Sequence, residues 1–334
     1  MRIAVWILLT FLLFSGCSTK KYFMPEEVAG AVDFDGKLPA PIVDVLREGA
    51  TLQNGQFISE RGLEPYKLPK NYLFIKRAGA YYLAADRCHK VIVVDAKSKK
   101  KIFEKDFRMK APVAANYKEG KLALVFDNDS LLLLDTTTGQ TIYSSAQSPD
   151  IAVDTKIANP YFLGKLVIFP TLDGKIVVVD THTGKELRTL IVGTHKYFNN
   201  VIFLDVIDEK LIAATPNKII SVTPQFTNSL DVELSDVLYV KNRVYLLTKD
   251  GRIILTDPQL NPLKERKFNF AHFTGAIYGE FIYIIEKSGY IIAVDKDLRV
   301  ANVFELPEEI DNYIFTARDT LYYDDKYFKL NKVQ

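Results

Sequence analysis

The side chains best suited to metal or nucleophilic chemistry in this sequence are four histidines, two cysteines and the acidic run Asp127-Asn128-Asp129. His89, His182, His195 and His272 are scattered without metal-ligand spacing. Cys88-His89 is the nearest approach to a ligand pair, but adjacent residues on a strand or turn point in divergent directions, so a tetrahedral metal would need further ligands that the sequence does not identify. The acidic run begins like a calcium loop, yet it lacks the glycine and the distant glutamate that such a loop requires. It reads instead as a hairpin turn. There is no phosphate-cradling glycine loop, no nucleophile elbow and no catalytic cysteine constellation. No catalytic residue, no metal and no cofactor is expected, and the chain is not expected to be an enzyme.

The other cysteine has a different context. Arg2 and an apolar run from Ile3 to Phe14 lead into Ser15-Gly16-Cys17. That run is too short for the roughly 20 residues of a membrane-spanning helix and matches the apolar region of a secretory signal. The small residues Ser15 and Gly16 give a peptidase access to the backbone at Cys17. The stretch resembles a bacterial lipobox, with Phe14 where leucine is usual, and the resemblance implies that residues 1–16 are removed and the Cys17 thiol is diacylated. Ser18 in place of aspartate then implies sorting to the outer membrane, with the body of the protein facing the periplasm. Removing residues 1–16 takes away one charged residue, Arg2, and leaves 42 basic against 41 acidic residues. So balanced a surface sets up no extended field for phosphates, and nucleic acid is not expected as a partner. Cys88 would be the one thiol left, so an intrachain disulfide is excluded and stability must come from the apolar core.

The elements that carry these residues repeat. Five apolar runs end in aspartate: VIVVD at Asp95, LLLLD at Asp135, IVVVD at Asp180, IILTD at Asp257 and IIAVD at Asp295. Weaker copies place Thr223 and Asn331 in the aspartate position, giving intervals of 40, 45, 43, 34, 38 and 36 residues. A period near 40 fits both propellers and helical repeats. Strand chemistry separates them: Leu122–Phe126, a polar turn, Leu131–Leu134, a second turn and Gln140–Tyr143 read as successive strands. Asp173-Gly174, Asp250-Gly251 and Ser288-Gly289 supply two-residue hairpin turns. Apolarity on both faces of the run before each aspartate marks a strand sandwiched between neighbouring sheets.

These observations predict an all-β propeller of about seven four-stranded blades. Residues 39–69, which hold the hairpin signal Gln53-Asn54-Gly55-Gln56 but no run ending in aspartate, are either a connector or a degenerate eighth blade. The last unit has three strands, so a strand within Ala29–Leu38 is expected to complete it, since an open edge invites aggregation. The domain reading is residues 1–16 as signal peptide, 17–28 as lipidated N-terminus and tether, and 29–334 as one propeller.

The segments D-T-T-T-G-Q at 135–140 and D-T-H-T-G-K at 180–185, each after a strand pair, resemble the repeat of pyrroloquinoline-quinone-type propellers. With the lipoprotein signal, the whole chain resembles the BamB-like propeller lipoproteins of the outer-membrane barrel-assembly machinery. Two departures stand out: the usual repeat tryptophan is absent, with Ile142 or Leu187 near its place, and seven blades are counted rather than eight. The resemblance implies a non-catalytic scaffold whose partners are barrel-assembly proteins or unfolded barrel clients, with no small-molecule substrate. The alternative is a ligand-binding or redox propeller using its central channel. The quinoprotein dehydrogenases use tryptophan docking motifs, calcium ligands and often a vicinal cysteine pair, none of which is kept. Candidate partner-binding residues are the aromatics between blades, Tyr161, Phe162, Tyr197, Phe198, Phe273 and Tyr278, which either anchor a partner or pack the hub.

Anchoring is directly testable. Cys17→Ala is expected to abolish acylation and release the protein from membranes while the propeller still folds. Membrane retention of the variant equal to that of the unsubstituted chain, with no acyl mass on the latter's N-terminus, would remove the lipid anchor.

Overall fold

A computed structural model describes residues 21–108, 110–146 and 152–333; the signal segment and Cys17 lie outside the described residues. The described residues form eight sheets, each an antiparallel meander, to two of which a short N-terminal strand is added. Blade 1 holds the short strands Ile42–Leu46, Gly49–Leu52, Phe57–Ser59 and Gly62–Leu63. Blades 2 to 6 span 72–106, 112–145, 161–191, 203–231 and 234–267, each with four strands in meander order. Blade 7 runs from Phe273 to Glu305 and blade 8 from Ile314 to Lys329.

The expected count of about seven blades is therefore corrected to eight, and the additional blade is built from residues 42–63. Its third strand, Phe57–Ser59, has three residues, against five or six at the equivalent place in blades 2 to 7. No room is left there for an apolar run ending in aspartate. The Gln53–Gln56 turn does form a hairpin, with Gly55 at φ +86° and the Asn54 side chain accepting the Gln56 N–H at 2.9 Å.

Within each blade the burial gradient follows the sequence pattern. The second and third strands, such as Tyr81–Asp86 and Lys90–Asp95, are buried through their centres, whereas outer strands such as Glu186–Ile191 are almost wholly exposed. Eight apolar clusters fill the junctions between adjacent blades. One of them joins blade 8 to blade 1 through Ala317 and Tyr322 packed with Ile42, Ala50, Leu52 and Ile58. Between blades 1 and 2 the rings of Phe57 and Phe74 stack at 4.2 Å and Tyr82 meets Phe57 edge-on at 4.9 Å. The aspartates that end the third strands start the following turns: Asp135 accepts the N–H groups of Thr137 and Thr138, and Asp180 those of His182 and Thr183. Gly139 and Gly184 take the left-handed conformation that these turns require.

The N-terminal segment lies along blades 7 and 8. Gly30–Ala31 pairs in parallel with Ala301–Glu305, and Gly36–Lys37 pairs antiparallel with Lys326–Lys329. Between them, Phe34 stacks on Tyr323 at 6.0 Å and Asp35 accepts the Lys329 N–H at 2.6 Å. Within the stretch read as a tether, Phe23 is buried against Phe268 and Tyr290.

Deleting residues 29–38 removes both added strands together with Phe34 and Asp35. The expected result is a lower, broader thermal transition than that of the full chain. A truncated chain with an unchanged melt would show that these pairings carry no stability.

Candidate functional site

Eight inner strands surround one axis, which brings charged residues from distant parts of the sequence together. Arg47, at the end of the inner strand of blade 1, reaches Asp236 in blade 6 at 2.5 Å. Lys156, ahead of blade 4, meets the other oxygen of that carboxylate at 2.8 Å and also donates to the Ser235 carbonyl at 2.9 Å. Glu48 pairs with Lys76 of blade 2 at 2.8 Å and accepts the Asn159 side-chain amide at 3.0 Å. The Arg47 guanidinium also sits 5.3 Å from the Phe203 ring of blade 5. Burial alone would raise the Asp236 pKa, but Arg47 and Lys156 hold the carboxyl far below the usual carboxylate range.

Around this network is a cavity of about 680 Å³, lined among others by Asp44, Glu60, Thr274, Tyr313 and Arg318. Three carboxylates at or near the hub are raised by burial, although Glu60 lies 3.5 Å from Arg61 and 4.0 Å from Arg77. Burial pushes Asp44, Glu60 and Asp205 up from their ordinary values, with Arg87 and Arg77 only partly opposing this at Asp44 and Glu60. At the hub the pairs Arg47–Asp236, Lys156–Asp236 and Lys76–Glu48 compensate one another's charge. Among the described residues, no group of three or more histidine, cysteine or acidic side chains is placed to hold a metal ion. Cys88 and His89 lie in a turn organised by Asp86, which accepts both of their N–H groups and that of Lys90; His89 pairs with Asp106 at 2.9 Å.

The six aromatic candidates do not form one patch. Tyr197 and Phe198 lie on the connection from blade 4 to blade 5, on the face that carries the turns between second and third strands; they are 46% and 49% exposed. Their loop is pinned from beneath. The buried Asn199 amide donates to Asp173 and Gly193 carbonyls, Asn200 donates to those of Asp154 and Lys156, and Phe198 holds φ +52°. Phe273 begins its inner strand near this face but is buried beside Phe268, so its ring is core. Tyr161, Phe162 and Tyr278 lie toward the opposite face. Tyr161 donates to the Val206 carbonyl at 3.2 Å, and the Lys296 ammonium sits 4.9 Å from the Tyr278 ring centre. There Tyr161 and Phe162 join Tyr81 and Tyr117 around a depression of about 460 Å³.

Sequence reasoning missed Arg47, Glu48, Lys76, Lys156 and Asp236. The available signal was a charge interrupting or ending an apolar first strand, as in YLFIKRA at Tyr72–Ala78. Tyr81 and Tyr117 were also missed, since each sits at a strand end and gains significance only beside its neighbour in the next blade, 4.9 Å away.

Comparison with known proteins places this geometry in context. The family model described as "Outer membrane protein assembly factor BamB" matches residues 74–297. The plasminogen-binding protein PgbB of Helicobacter pylori strain J99 is 29% identical over 381 aligned positions, covering 97% of this chain and 70% of that protein; the strain 26695 protein is 28% identical. Among solved structures, BamB from Moraxella catarrhalis superposes with a TM-score of 0.67 at 17% identity, covering 88% of this chain and 99% of that one. The designed protein Ika8 gives 0.64 at 11% identity, with 90% and 99% covered. At these identities the two structures speak to the fold alone.

One buried carboxyl outside the hub yields a pH prediction. Asp129 is fully buried; one oxygen accepts the Leu172 N–H of the next blade at 2.6 Å and the other has no partner. Burial, reinforced by Asp173, pushes its pKa up to about 7. The folded protein therefore keeps a proton that the unfolded chain releases near 3.8. This contribution to stability is largest in acid and is lost as pH rises to 7. In urea unfolding, the stability of Asp129→Asn relative to the unsubstituted chain is expected to be higher at pH 8 than at pH 5. An equal difference at both pH values would mean that the folded-state carboxyl is not shifted.

Proposed function

The chain belongs to the family of the outer membrane protein assembly factor BamB, and from that premise we propose that it is a non-catalytic scaffold of the cell envelope that binds other proteins through its loop faces. Its expected task is to assist outer-membrane β-barrel assembly, from the periplasm and under a lipid anchor at Cys17. The observation that carries this reading is the Tyr197–Phe198 loop, where two exposed aromatic side chains stand on a backbone immobilised by buried Asn199 and Asn200. Rings presented in this way lose little conformational freedom on binding, which makes them efficient anchors. The depression around Tyr81, Tyr117, Tyr161 and Phe162 offers a second contact on the other face.

The channel is less suited to be the working surface. Its most buried charges, Arg47, Lys156 and Asp236, already satisfy one another, so a ligand would have to break a desolvated network, which costs several kcal/mol when one partner is stripped away. A second reading is favoured by the relative described as plasminogen-binding, whose similarity runs over nearly the whole of this chain. In that reading the same rigid faces capture plasminogen.

Affinity capture from solubilised envelopes, beside direct binding to purified plasminogen, separates the two. In either case Tyr197→Ala and Phe198→Ala are each expected to weaken capture by about 1 to 4 kcal/mol, the range for interface hot spots, with little change in melting temperature. Variants that keep full capture would rule out this loop and leave the Tyr81–Phe162 depression to be tested in the same way.

A further inference from the structure

We propose that the rim of the ring where blades 6 and 7 meet rests on the anionic headgroups of a lipid bilayer. This rests on the lipid-anchor reading of Cys17 and adds an orientation to it. The described chain starts at this rim: Lys21 lies 5.2 Å from the Phe270 ring centre, and two residues later Phe23, 5% exposed, plugs the apolar junction between Phe268 and Tyr290. Phe23 is six positions along the chain from Cys17. Even fully extended they span at most about 21 Å, so an acylated Cys17 cannot leave the neighbourhood of this rim.

The surface around the plug has the composition of an interfacial contact. Tyr22, Met24, Phe270 and Val300 are 63%, 84%, 49% and 54% exposed. Lys264 and Arg299 are exposed among them, and Arg266 is held beside them by donating to the Arg299 carbonyl at 2.8 Å. Of the nearby carboxylates, Asp297 is engaged by Arg243 at 2.6 Å and Arg299 at 3.7 Å. Exposed Glu26 and Glu27 follow Met24 after Pro25 and lead into Ala29, whose N–H donates to the Val303 carbonyl at 2.8 Å, and Glu265, between Lys264 and Arg266, is engaged by Arg252 at 3.4 Å. Apolar side chains at the acyl boundary with lysine and arginine at headgroup level is the arrangement by which a protein edge binds an anionic membrane. Another lysine-rich rim, Lys97–Lys101 with the exposed Ile102, sits in blade 2 on the far side of the eight-bladed ring. It has similar chemistry but is out of reach of the anchor, so it discriminates between placement by the anchor and non-specific attraction.

The single tryptophan, Trp6, lies in the signal segment, so the mature chain would hold none and one can be introduced as a probe. Phe270→Trp, Val300→Trp and Ile102→Trp are made separately in the full chain, checked for an unaltered melt, and reconstituted in phosphatidylcholine–phosphatidylglycerol vesicles whose acyl chains are brominated near the headgroup. At least a twofold loss of emission at positions 270 and 300, with little at 102, is expected. Equal quenching at all three positions, stronger quenching at 102, or none anywhere while the N-terminal mass shows acylated Cys17, overturns the orientation and leaves the anchor standing. An unacylated N-terminus removes the anchor reading, and this inference with it. A blue shift at 270 that grows with protein concentration in an unlipidated chain starting at residue 18, without vesicles, assigns the rim to a second copy of the protein and overturns the membrane contact.

Discussion

The structure depends on covering both faces of the central strands of every blade. Runs such as Val91–Val94 and Leu131–Leu134 are apolar on both sides, so one sheet cannot bury them and each needs a neighbour on either face. A row of such sheets always leaves two bare ends, and the row satisfies itself only by becoming a ring. The eighth cluster, joining Ala317 and Tyr322 to Ile42 and Leu52, is that requirement met. Leaving one junction open would expose the apolar side chains of a whole cluster, at roughly 25 cal/mol per Å² of apolar surface. The N-terminal strands on blades 7 and 8 therefore reinforce a ring that core packing already demands.

Ring geometry then dictates the electrostatics of the hub. Placing first strands around a common axis crowds any charge they carry, and desolvation makes an unpaired one expensive. Arg47 and Glu48 answer this by bridging blade 1 to blades 2 and 6, with Lys156 and Asn159 adding the entry to blade 4. A network of this type adds little net stability over an apolar core. Because its members come from four places in the ring, it is satisfied in one blade register only, which makes it a device for specificity.

What was legible in the sequence followed the strength of local patterning. Blades 2 to 7 were readable because each third strand combines five or six residues, apolarity on both faces and a turn-starting aspartate or its substitute Thr223. Blade 1 was left open between a connector and a degenerate blade, because Phe57–Ser59 is too short to show a period and its core relies on the Phe57–Phe74–Tyr82 stack, which is contributed mainly by the next blade. The aromatic candidates were found by type but not by place. Phe273 opens the inner strand of blade 7 and its ring turns into the junction beside Phe268, whereas Tyr197 lies within the connection before the inner strand of blade 5 and its ring turns out to solvent. That choice depends on Asn199 bonding to the Asp173 turn, a contact between separate elements that no window of sequence contains. The hub charges were hidden for the same reason, since Arg47 and Asp236 are 189 residues apart.

The two loop faces and the rim are perpendicular surfaces of one rigid body, and this constrains how a scaffold of this shape works. A ring lying flat on a membrane would hide one face and its loops. A ring standing on the rim of blades 6 and 7 leaves both faces looking sideways across the bilayer surface, with Tyr197 and Phe198 on one side and the Tyr81–Phe162 depression on the other. Partners embedded in the same membrane could then be met on either side without the propeller changing shape. Rigidity is an advantage in this arrangement, because docking to an already ordered loop loses little entropy and anchoring in a plane raises the effective concentration of any partner in that plane. The split of the aromatic residues between two faces argues against a single large patch and accords with the edge-on orientation proposed above.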